Sequence, residues 1–201
     1  MSHDKHQAFF DQLAHEWDLN FTVEDLERLQ HHVPKLGARP GMDVLDLGCG
    51  TGILFDLLRR AVGDEGSVTG VDFSLQMARQ AHRNFPFSNV NVVDADVTQL
   101  PFPASTFDLA VAFAAFPHFE DKRETLRAMH RVLKAGAHFF VLHLESSKEL
   151  SEMHRKVGGV VAEDVIPDAN ELTGMFEETG FEHVRIQDHK GLYLASAVNK
   201  K

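Results

Sequence analysis

A short glycine-rich segment carries the strongest chemical signal in the sequence. Residues 46–52 read DLGCGTG and follow an apolar stretch that is typical of a buried strand. Glycine has no Cβ, so the backbone at Gly48 and Gly50 can turn tightly and approach a ligand closely. Amide groups at the start of the following helix favour a negative or electron-rich ligand. The segment therefore predicts a ligand-binding loop between a strand and a helix.

Asp72 supports this prediction from the next strand. It lies 22 positions after Gly50, at the carboxyl end of the apolar stretch Val68 to Val71. A carboxylate at that place can accept hydrogen bonds from both hydroxyls of a ribose. A dinucleotide site would have a third glycine in the pattern G-x-G-x-x-G, and here that position is Ile53. The pattern favours a nucleoside-containing cofactor and argues against a dinucleotide.

Residues that can contact a second substrate follow the fourth and fifth predicted strands. Parallel sheets bind ligands beyond the carboxyl ends of their strands. The candidates at this edge are Phe116, His118, Phe119, His143 and Glu145. We predict that His118 and His143 are catalytic and face one cavity, although a general base is needed only if the second substrate must lose a proton. For His118 the alternative is a hydrogen bond at the start of a helix.

The same region suggests a metal site as an open alternative. His143 and Glu145 alternate along one strand and are expected on the same face. Together with His118 and with His154 they would form a histidine and carboxylate site for a divalent metal, although their spacing matches no standard motif. The remaining histidines are expected to be structural at His130 and exposed at His3, His6, His31 and His32.

The elements that position these residues alternate along most of the chain. Helices are predicted over 4–16 and 23–32, followed by five apolar strands separated by amphipathic helices, a helix near 168–179, and a strand pair at 183–188 and 192–198. This order predicts an α/β fold, a Rossmann-like doubly wound seven-stranded sheet. The sheet is mostly parallel, with an antiparallel C-terminal hairpin and helices on both faces. We expect one domain over 1–201, with a helical cap at 1–40 and a candidate substrate lid at 145–167.

Composition excludes several classes of protein. The chain has 201 residues, with 20 Lys and Arg against 30 Asp and Glu, which gives a formal charge of −10. Binding to a nucleic-acid backbone requires a positive surface, so no nucleic-acid partner is expected. No apolar stretch is long enough to span a bilayer, and one cysteine excludes a disulfide framework. We expect a cytoplasmic protein that acts on a small molecule.

The order of these motifs resembles that of class I S-adenosylmethionine-dependent methyltransferases. The segment 46–52 is similar to their first motif, and 70–74 to their second. Residues 94–97 with 100–102 are similar to the third, and 107–109 with 131–136 resemble the fourth strand and the turn before the fifth. The likeness is strongest to the small-molecule group that includes quinone-biosynthesis methyltransferases, and it covers nearly the whole chain.

The resemblance implies that S-adenosylmethionine is the cofactor, and it implies a role for each matching position. Gly48 and Gly50 would pass under the methionine part, while Asp46 would brace the loop and reach the amino-acid end. The ribose would be held by Asp72. The adenine would contact Phe73, Asp96 and Val97, main-chain groups near Phe113 would face the ammonium group, and Trp17 would cap the cofactor.

The function implied is methyl transfer from S-adenosylmethionine to a small-molecule acceptor. The alternative from another class is a regulatory protein that binds the cofactor without transferring its methyl group. An acceptor pocket that is plugged by the phenylalanines around Phe113 to Phe119 would favour that alternative. An RNA methyltransferase is disfavoured by the acidic composition. The motifs do not identify the acceptor or the oligomeric state.

Overall fold

The computed structural model describes residues 2–201, with side chains described from residue 4 onwards. Seven strands form one sheet in the order β3-β2-β1-β4-β5-β7-β6. The strands are β1 (Asp43–Leu47), β2 (Ser67–Asp72), β3 (Val90–Asp94), β4 (Phe107–Phe113), β5 (Leu133–His143), β6 (Phe181–His189) and β7 (Leu192–Asn199). The first five strands pair in parallel, and β7 is antiparallel to both of its neighbours. The predicted sheet and its C-terminal hairpin are confirmed.

The strand order places a ligand site at one point of the sheet. From β1 the chain runs outward to β2 and β3, and it then returns to the other side of β1 as β4. The loops after β1 and β4 therefore leave the sheet in opposite directions. This reversal opens a crevice beyond the carboxyl ends of the two strands, which is where open α/β sheets bind ligands.

The helices begin where the sequence supplies capping side chains. They are α1 (Ser2–Leu13), α2 (Val23–His32), α3 (Phe55–Val62), α4 (Leu75–Asn84), α5 (Lys122–Val132), α6 (Ser147–Val157) and α7 (Ala169–Glu178). The Ser74 hydroxyl accepts a hydrogen bond from Met77 N, so Ser74 is the N-cap of α4. Asp121 caps α5 in the same way, and Ser146 caps α6 within a capping box.

Helices cover both faces of the sheet. On one face, the apolar sides of α5 and α7, including Leu126, Met129 and Phe176, pack against β4 and β5. On the other face, α2 and α3 pack against β1 and β2 through residues such as Leu29 and Phe55. Because both faces are covered, the central strands are buried along almost their whole length, as their continuous apolar sequences predict.

Three element boundaries differ from the predictions. The first helix ends at Leu13, before the predicted end at residue 16, and Trp17 begins a separate 3₁₀ helix, Trp17–Asn20. β5 begins at Leu133, where it pairs with Phe107 across an irregular register, because the chain extends directly from the end of α5. The strand ends at His143, so Glu145 does not share a strand face with it.

The N-terminal segment 1–40 is fastened to the elements around the glycine loop. From α1, Gln7 Nε2 donates to the carbonyl of Phe73, and Asp11 Oδ1 accepts from the Ser74 hydroxyl at 2.6 Å. From the 3₁₀ helix, the Asp18 carboxylate accepts from the Thr51 hydroxyl. These bonds hold the segment against α4 and the glycine loop.

The segment 145–167 contains its own helix. It consists of α6, a 3₁₀ helix at Gly159–Val161, and a loop that leads to α7. Val161 is buried in a small apolar cluster with Phe10 and Ala14 of the N-terminal segment and Met77 of α4. The two segments therefore pack against each other, and opening of 145–167 as a lid stays a prediction.

The described residues form no helix that is long and apolar enough to cross a membrane.

Two glycines test the packing around the loop. An added Cβ at Gly70 would lie 2.3 Å from Phe55 Cζ and 2.7 Å from Cys49 Sγ, whereas one at Gly174, in α7, would meet nothing within 4 Å. We expect Gly70→Ala to lower the free energy of unfolding by about 1–3 kcal/mol, because the core beneath the loop is overpacked. Gly174→Ala should raise it by about 0.5–1 kcal/mol. Denaturant unfolding of both variants checks the pair, and equal stabilities would contradict the packing described here.

Candidate functional site

A cavity of about 230 Å³ lies at the crevice between the loops that follow β1 and β4. Its walls come from the N-terminal segment, the glycine loop, the ends of β2 and β3, and the turn after β4. The lining residues include Phe10, Trp17, Phe21, Asp46, Gly48, Gly50, Asp72, Phe73, Asp96, Val97, Phe113, Ala115, His118, Phe119, Glu120 and Asp121. Every residue predicted to contact the cofactor is therefore at this cavity.

The glycine loop is tied to β2 and closely packed. Gly48 N and Cys49 N both donate to the carbonyl of Val71, at 2.8 and 3.0 Å. Gly48 has φ +70°, and a Cβ there would lie 2.5 Å from Ala115 Cβ. Only glycine combines this backbone conformation with this close approach. The loop can consequently present its backbone directly to a ligand.

Asp72 braces the loop in the structure. Its carboxylate accepts from Gly50 N at 2.8 Å and from Ser74 N at 2.9 Å. Burial raises the pKa of Asp72 to about 6, although these two amide bonds favour its ionised form. The sequence assigned the bracing of the loop to Asp46, and that detail is wrong, because the bracing carboxylate comes from β2.

Asp46 has no partner for its charge. Both carboxylate oxygens are buried, and neither has a hydrogen-bond partner among the described residues. Burial and, to a smaller extent, the nearby Asp72 raise the pKa of Asp46 to about 8. Buried polar groups are normally hydrogen-bonded, so an orphaned carboxyl on a cavity wall indicates a missing donor or cation. An ammonium group would supply both.

The other predicted cofactor contacts surround the same space. Asp96 and Val97 lie on its wall, and Asp96 Oδ1 accepts from the amide and the hydroxyl of Thr98, each at 2.8 Å. An added Cβ at Gly50 would lie 3.4 Å from Trp17 Nε1, so Trp17 stands directly over the loop. The roles of these residues toward the cofactor stay predictions.

His118 lies on the cavity wall, and His143 lies behind it. The His118 ring is 4.9 Å from the ring of His154 and packs edge-on against Phe10. His143 is 1% exposed and does not line the cavity. Burial and, to a smaller extent, His118 and His154 lower the pKa of His143 to about 3. The prediction that both histidines face one cavity is wrong for His143, because β5 carries its side chain into the core.

Two neighbouring polar groups of the core lack partners. Both ring nitrogens of His143 and the hydroxyl of Tyr193 are buried without a hydrogen bond to any described residue. The two residues lie opposite each other on β5 and β7, with ring centroids 6.3 Å apart. A role for His143 in catalysis stays a prediction, since in the structure it reaches the cavity only through its neighbours.

The predicted metal site is not formed. Within the described part of the chain, no group of three or more His, Cys, Asp or Glu side chains is arranged to hold a metal ion. Glu145 follows the end of β5, and the charged groups that act on it are Arg28, Asp25 and Glu149. Those that act on His143 are His118 and His154. The carboxylate and the histidines therefore diverge.

The sequence missed one residue of the site, Asp164. Its Oδ2 accepts from His118 Nδ1 at 2.7 Å and from His6 Nε2 at 2.9 Å. His6 was expected to be exposed, but its side chain is only 13% exposed because it packs at this contact. The side chain of His3 lies outside the described residues. Nothing in local spacing signals a contact between residues 158 positions apart.

Comparisons with known proteins agree on the class of this one. The family described as "Methyltransferase domain" matches residues 44–136. The chain is 34% identical over 185 residues to the ubiquinone/menaquinone biosynthesis C-methyltransferase UbiE of Vibrio parahaemolyticus, covering 79% of this chain and 71% of the relative. It is 35% identical over 180 residues to UbiE of Shewanella woodyi, covering 76% and 71%.

Solved structures show the same fold. A chain in the complex between the Trm112 methyltransferase activator of Haloferax volcanii and a methyltransferase has a TM-score of 0.81 at 20% identity, covering 96% of this chain and 98% of that chain. An S-adenosylmethionine-dependent methyltransferase from Aquifex aeolicus has a TM-score of 0.67 at 22% identity, covering 89% and 97%.

Sheet order, glycine loop and sequence similarity together define a methyltransferase of Rossmann-like fold. The chain belongs to the class I S-adenosylmethionine-dependent methyltransferases. It is an enzyme that transfers a methyl group from S-adenosylmethionine to a small-molecule acceptor.

The state of Asp46 gives a prediction about cofactor binding. A cationic ammonium group pairs with the ionised carboxylate, whereas below pH 8 the ligand-free carboxyl is largely protonated. Binding of S-adenosylhomocysteine at pH 7 should therefore release a proton from Asp46, and affinity should rise as the pH increases from 6 toward 8. Calorimetry at pH 7, in buffers with different ionisation enthalpies, measures this proton.

The matched variant for this experiment is Asp46→Asn, which keeps the shape and removes the charge. It should abolish the Asp46 component of proton release and weaken binding by about 1.5–3 kcal/mol, as expected for a hydrogen bond to a charged group. Proton release that is the same in both proteins would contradict the assignment of Asp46 to the ammonium group.

Proposed function

We propose that S-adenosylmethionine binds with its ammonium group at Asp46, its ribose hydroxyls at Asp72 and its adenine against Phe73, Asp96 and Val97. The observation that carries this proposal is the orphaned carboxyl of Asp46 beside the closely packed glycine loop. Bound in this way, the cofactor supplies an electrophilic methyl group on a sulfonium sulfur.

The residues of the cavity bind and orient the cofactor, and they exclude water. Gly48 and Gly50 leave room for the ligand against the backbone, and Phe113 lies at the end of β4 beside the methionine part. Phe10 and Trp17 close the cavity from the N-terminal side. Holding two reactants in an aligned, dry site supplies much of the rate of a displacement reaction.

We propose that the acceptor occupies the side of the cavity formed by the turn after β4. The wall there includes Ala115 and Phe119 with the polar groups of His118, Glu120 and Asp121. This lining supports an acceptor with an apolar part against the phenylalanine and a polar group that contacts His118. The curated relatives are named as C-methyltransferases of ubiquinone and menaquinone biosynthesis, and we propose that carbon is also the methylated atom here.

His118 is the proposed catalytic residue, as a base or as a polar contact of the acceptor. Burial lowers the pKa of His118, so its ring is neutral at neutral pH and can accept a proton. His143 is proposed as a support for this residue from the core. The segment 145–167 is proposed as the lid over the acceptor, and the enzyme is proposed to be cytoplasmic without a nucleic-acid partner.

A regulatory protein that only binds the cofactor is the weaker alternative. Both relatives compared above are named as methyltransferases. Phe113 and Phe119 line the cavity and do not fill it. Both observations favour the enzyme.

Methyl transfer from labelled S-adenosylmethionine into a small-molecule extract tests the proposed function. The wild-type protein should label an extractable apolar compound, and Asp72→Ala should lose this activity with a binding loss of about 1–3 kcal/mol for S-adenosylhomocysteine, because ribose hydroxyls lose their partner. His118→Ala should bind S-adenosylhomocysteine normally and lose transfer.

The exposed residue His15, changed to alanine, is the matched control for His118 and should keep full activity. A wild-type protein that binds the cofactor tightly and labels nothing would favour the regulatory alternative. Full activity of His118→Ala would remove His118 from the mechanism.

A further inference from the structure

One carboxylate oxygen joins three distant parts of the chain at the wall of the cavity. Asp164 Oδ2 accepts from His118 Nδ1 at 2.7 Å and from His6 Nε2 at 2.9 Å. The carbonyl oxygen of the same residue accepts from His154 Nδ1 at 2.6 Å. The side chains of Asp164, His118 and His6 are 12–15% exposed, so the contact is largely shielded from solvent.

Each member of this contact comes from a different element. His6 lies on α1, and His118 ends the 3₁₀ helix Phe116–His118 after β4. Asp164 follows the 3₁₀ helix at Gly159–Val161, within the segment 145–167. The contact therefore forms only when the N-terminal segment and the segment 145–167 are both packed beside the cavity.

The hydrogen bonds fix the tautomer of His118. A carboxylate only accepts, so a neutral imidazole must place its proton on Nδ1 to bond Asp164. The lone pair is then on Nε2, which no described residue engages in a hydrogen bond. Because His118 lines the cavity, a fixed tautomer leaves a proton acceptor at the wall where the acceptor molecule is proposed to bind.

We propose that Asp164 is a positioning residue that holds His118 with its Nε2 free for a proton of the acceptor, and that His6 makes this arrangement depend on closure of the N-terminal segment. The proposal rests on the proposed function of the cavity and adds the class of acceptor. That acceptor is a protic nucleophile, such as an enol, a phenol or an activated carbon that loses hydrogen.

The proton balance of the methyl transfer defines the role of His118. As the acceptor atom forms its bond to the methyl carbon, the bond from that carbon to sulfur breaks and leaves its electron pair on sulfur. The acceptor then carries one proton too many, and His118 Nε2 takes it. The imidazolium that results donates from Nδ1 to the ionised Asp164, which stabilises its charge. The proton passes to solvent when the site opens.

The charges around His118 are compatible with this role. Burial lowers the pKa of His118, while the hydrogen bond and the charge of Asp164 raise it. His154 from α6 and His6 from α1 oppose protonation of His118. Lys122 from α5 lies near Asp164. The pKa of Asp164 is lowered, because its bonds to His118 and His6 outweigh its burial.

Closure of the cofactor site involves α1. Phe10 lies one turn after His6, packs edge-on against the His118 ring, and lines the cavity together with Trp17. Entry of a cofactor beneath these side chains requires α1 to move away, which breaks the bond from His6 to Asp164. The base is thus complete only after the cofactor site has closed, which protects a sulfonium from water and from wrong acceptors.

The tautomer of His118 is measurable without any acceptor. Two-bond ¹H–¹⁵N correlation spectra of the protein with S-adenosylhomocysteine distinguish a ring protonated on Nδ1 from one protonated on Nε2, and His118→Gln assigns the signal. We expect Nδ1–H in the wild type and a mixed or Nε2–H state in Asp164→Ala. The exposed neighbour Glu163, changed to alanine, is the matched control and should leave the signal unchanged. Nε2–H in the wild type, or one tautomer in both proteins, would overturn the proposal.

Kinetics with the acceptor found in the extract separate positioning from folding. Asp164→Ala should lower kcat by about 10- to 100-fold, up to the lower end of the range of general-base effects, while affinity for S-adenosylhomocysteine stays within about twofold. The acidic limb of its pH profile should move to lower pH, because the charge that raises the pKa of His118 is gone. Asp164→Glu should recover part of kcat.

His6→Ala tests the closure step, with His15→Ala as its control. We expect weaker binding of S-adenosylhomocysteine and a lower kcat for His6→Ala, with both values unchanged for His15→Ala. Equal loss of affinity and kcat in Asp164→Ala without a shift in the pH profile would overturn the positioning role. A wild-type protein that shows the Nδ1–H tautomer but transfers no methyl group would refute the proposed function and leave the His118–Asp164 geometry standing.

Discussion

The two amide bonds to the Asp72 carboxylate are the interaction on which the site depends. One comes from Gly50 in the loop after β1 and the other from Ser74 at the start of α4. They fix two neighbouring crossovers of the sheet relative to each other, so the cavity has a floor before any ligand arrives. Because Ser74 also donates to Asp11, the same point anchors α1 over the cavity.

The preformed floor of the site includes one destabilising group, the carboxyl of Asp46. A fully buried carboxyl without partners destabilises the ligand-free fold, and its raised pKa reports that cost. A cationic ligand that pairs with it recovers the loss as binding free energy. Stability and function are therefore opposed at this residue, as is common at binding sites.

The polar contacts around Asp164 extend the same logic to the other wall. Here one carboxylate oxygen accepts from two imidazole nitrogens, and the groups that it joins lie on separate elements around the sheet. The floor of the site thus belongs to the sheet, whereas the cover consists of two segments that meet each other at this polar contact and at a small apolar cluster.

Local sequence signals predicted the floor far better than the cover. The glycine loop and Asp72 both follow from glycine spacing and from the apolar strands that precede them. The contact of His6 with Asp164 spans 158 positions, and the burial of the His143 side chain depends on where β5 ends. Such features are set by tertiary packing, so His6 was predicted to be exposed and Asp164 was missed.

A crystal structure of the enzyme with S-adenosylhomocysteine is the most direct test of the central claim that Asp72 and Asp46 define the cofactor site. We expect ribose hydroxyls within hydrogen-bond distance of Asp72 and the ammonium group at Asp46, with Trp17 and Phe10 covering the ligand. A ligand bound elsewhere, or one that leaves both oxygens of Asp46 without a partner, would contradict it.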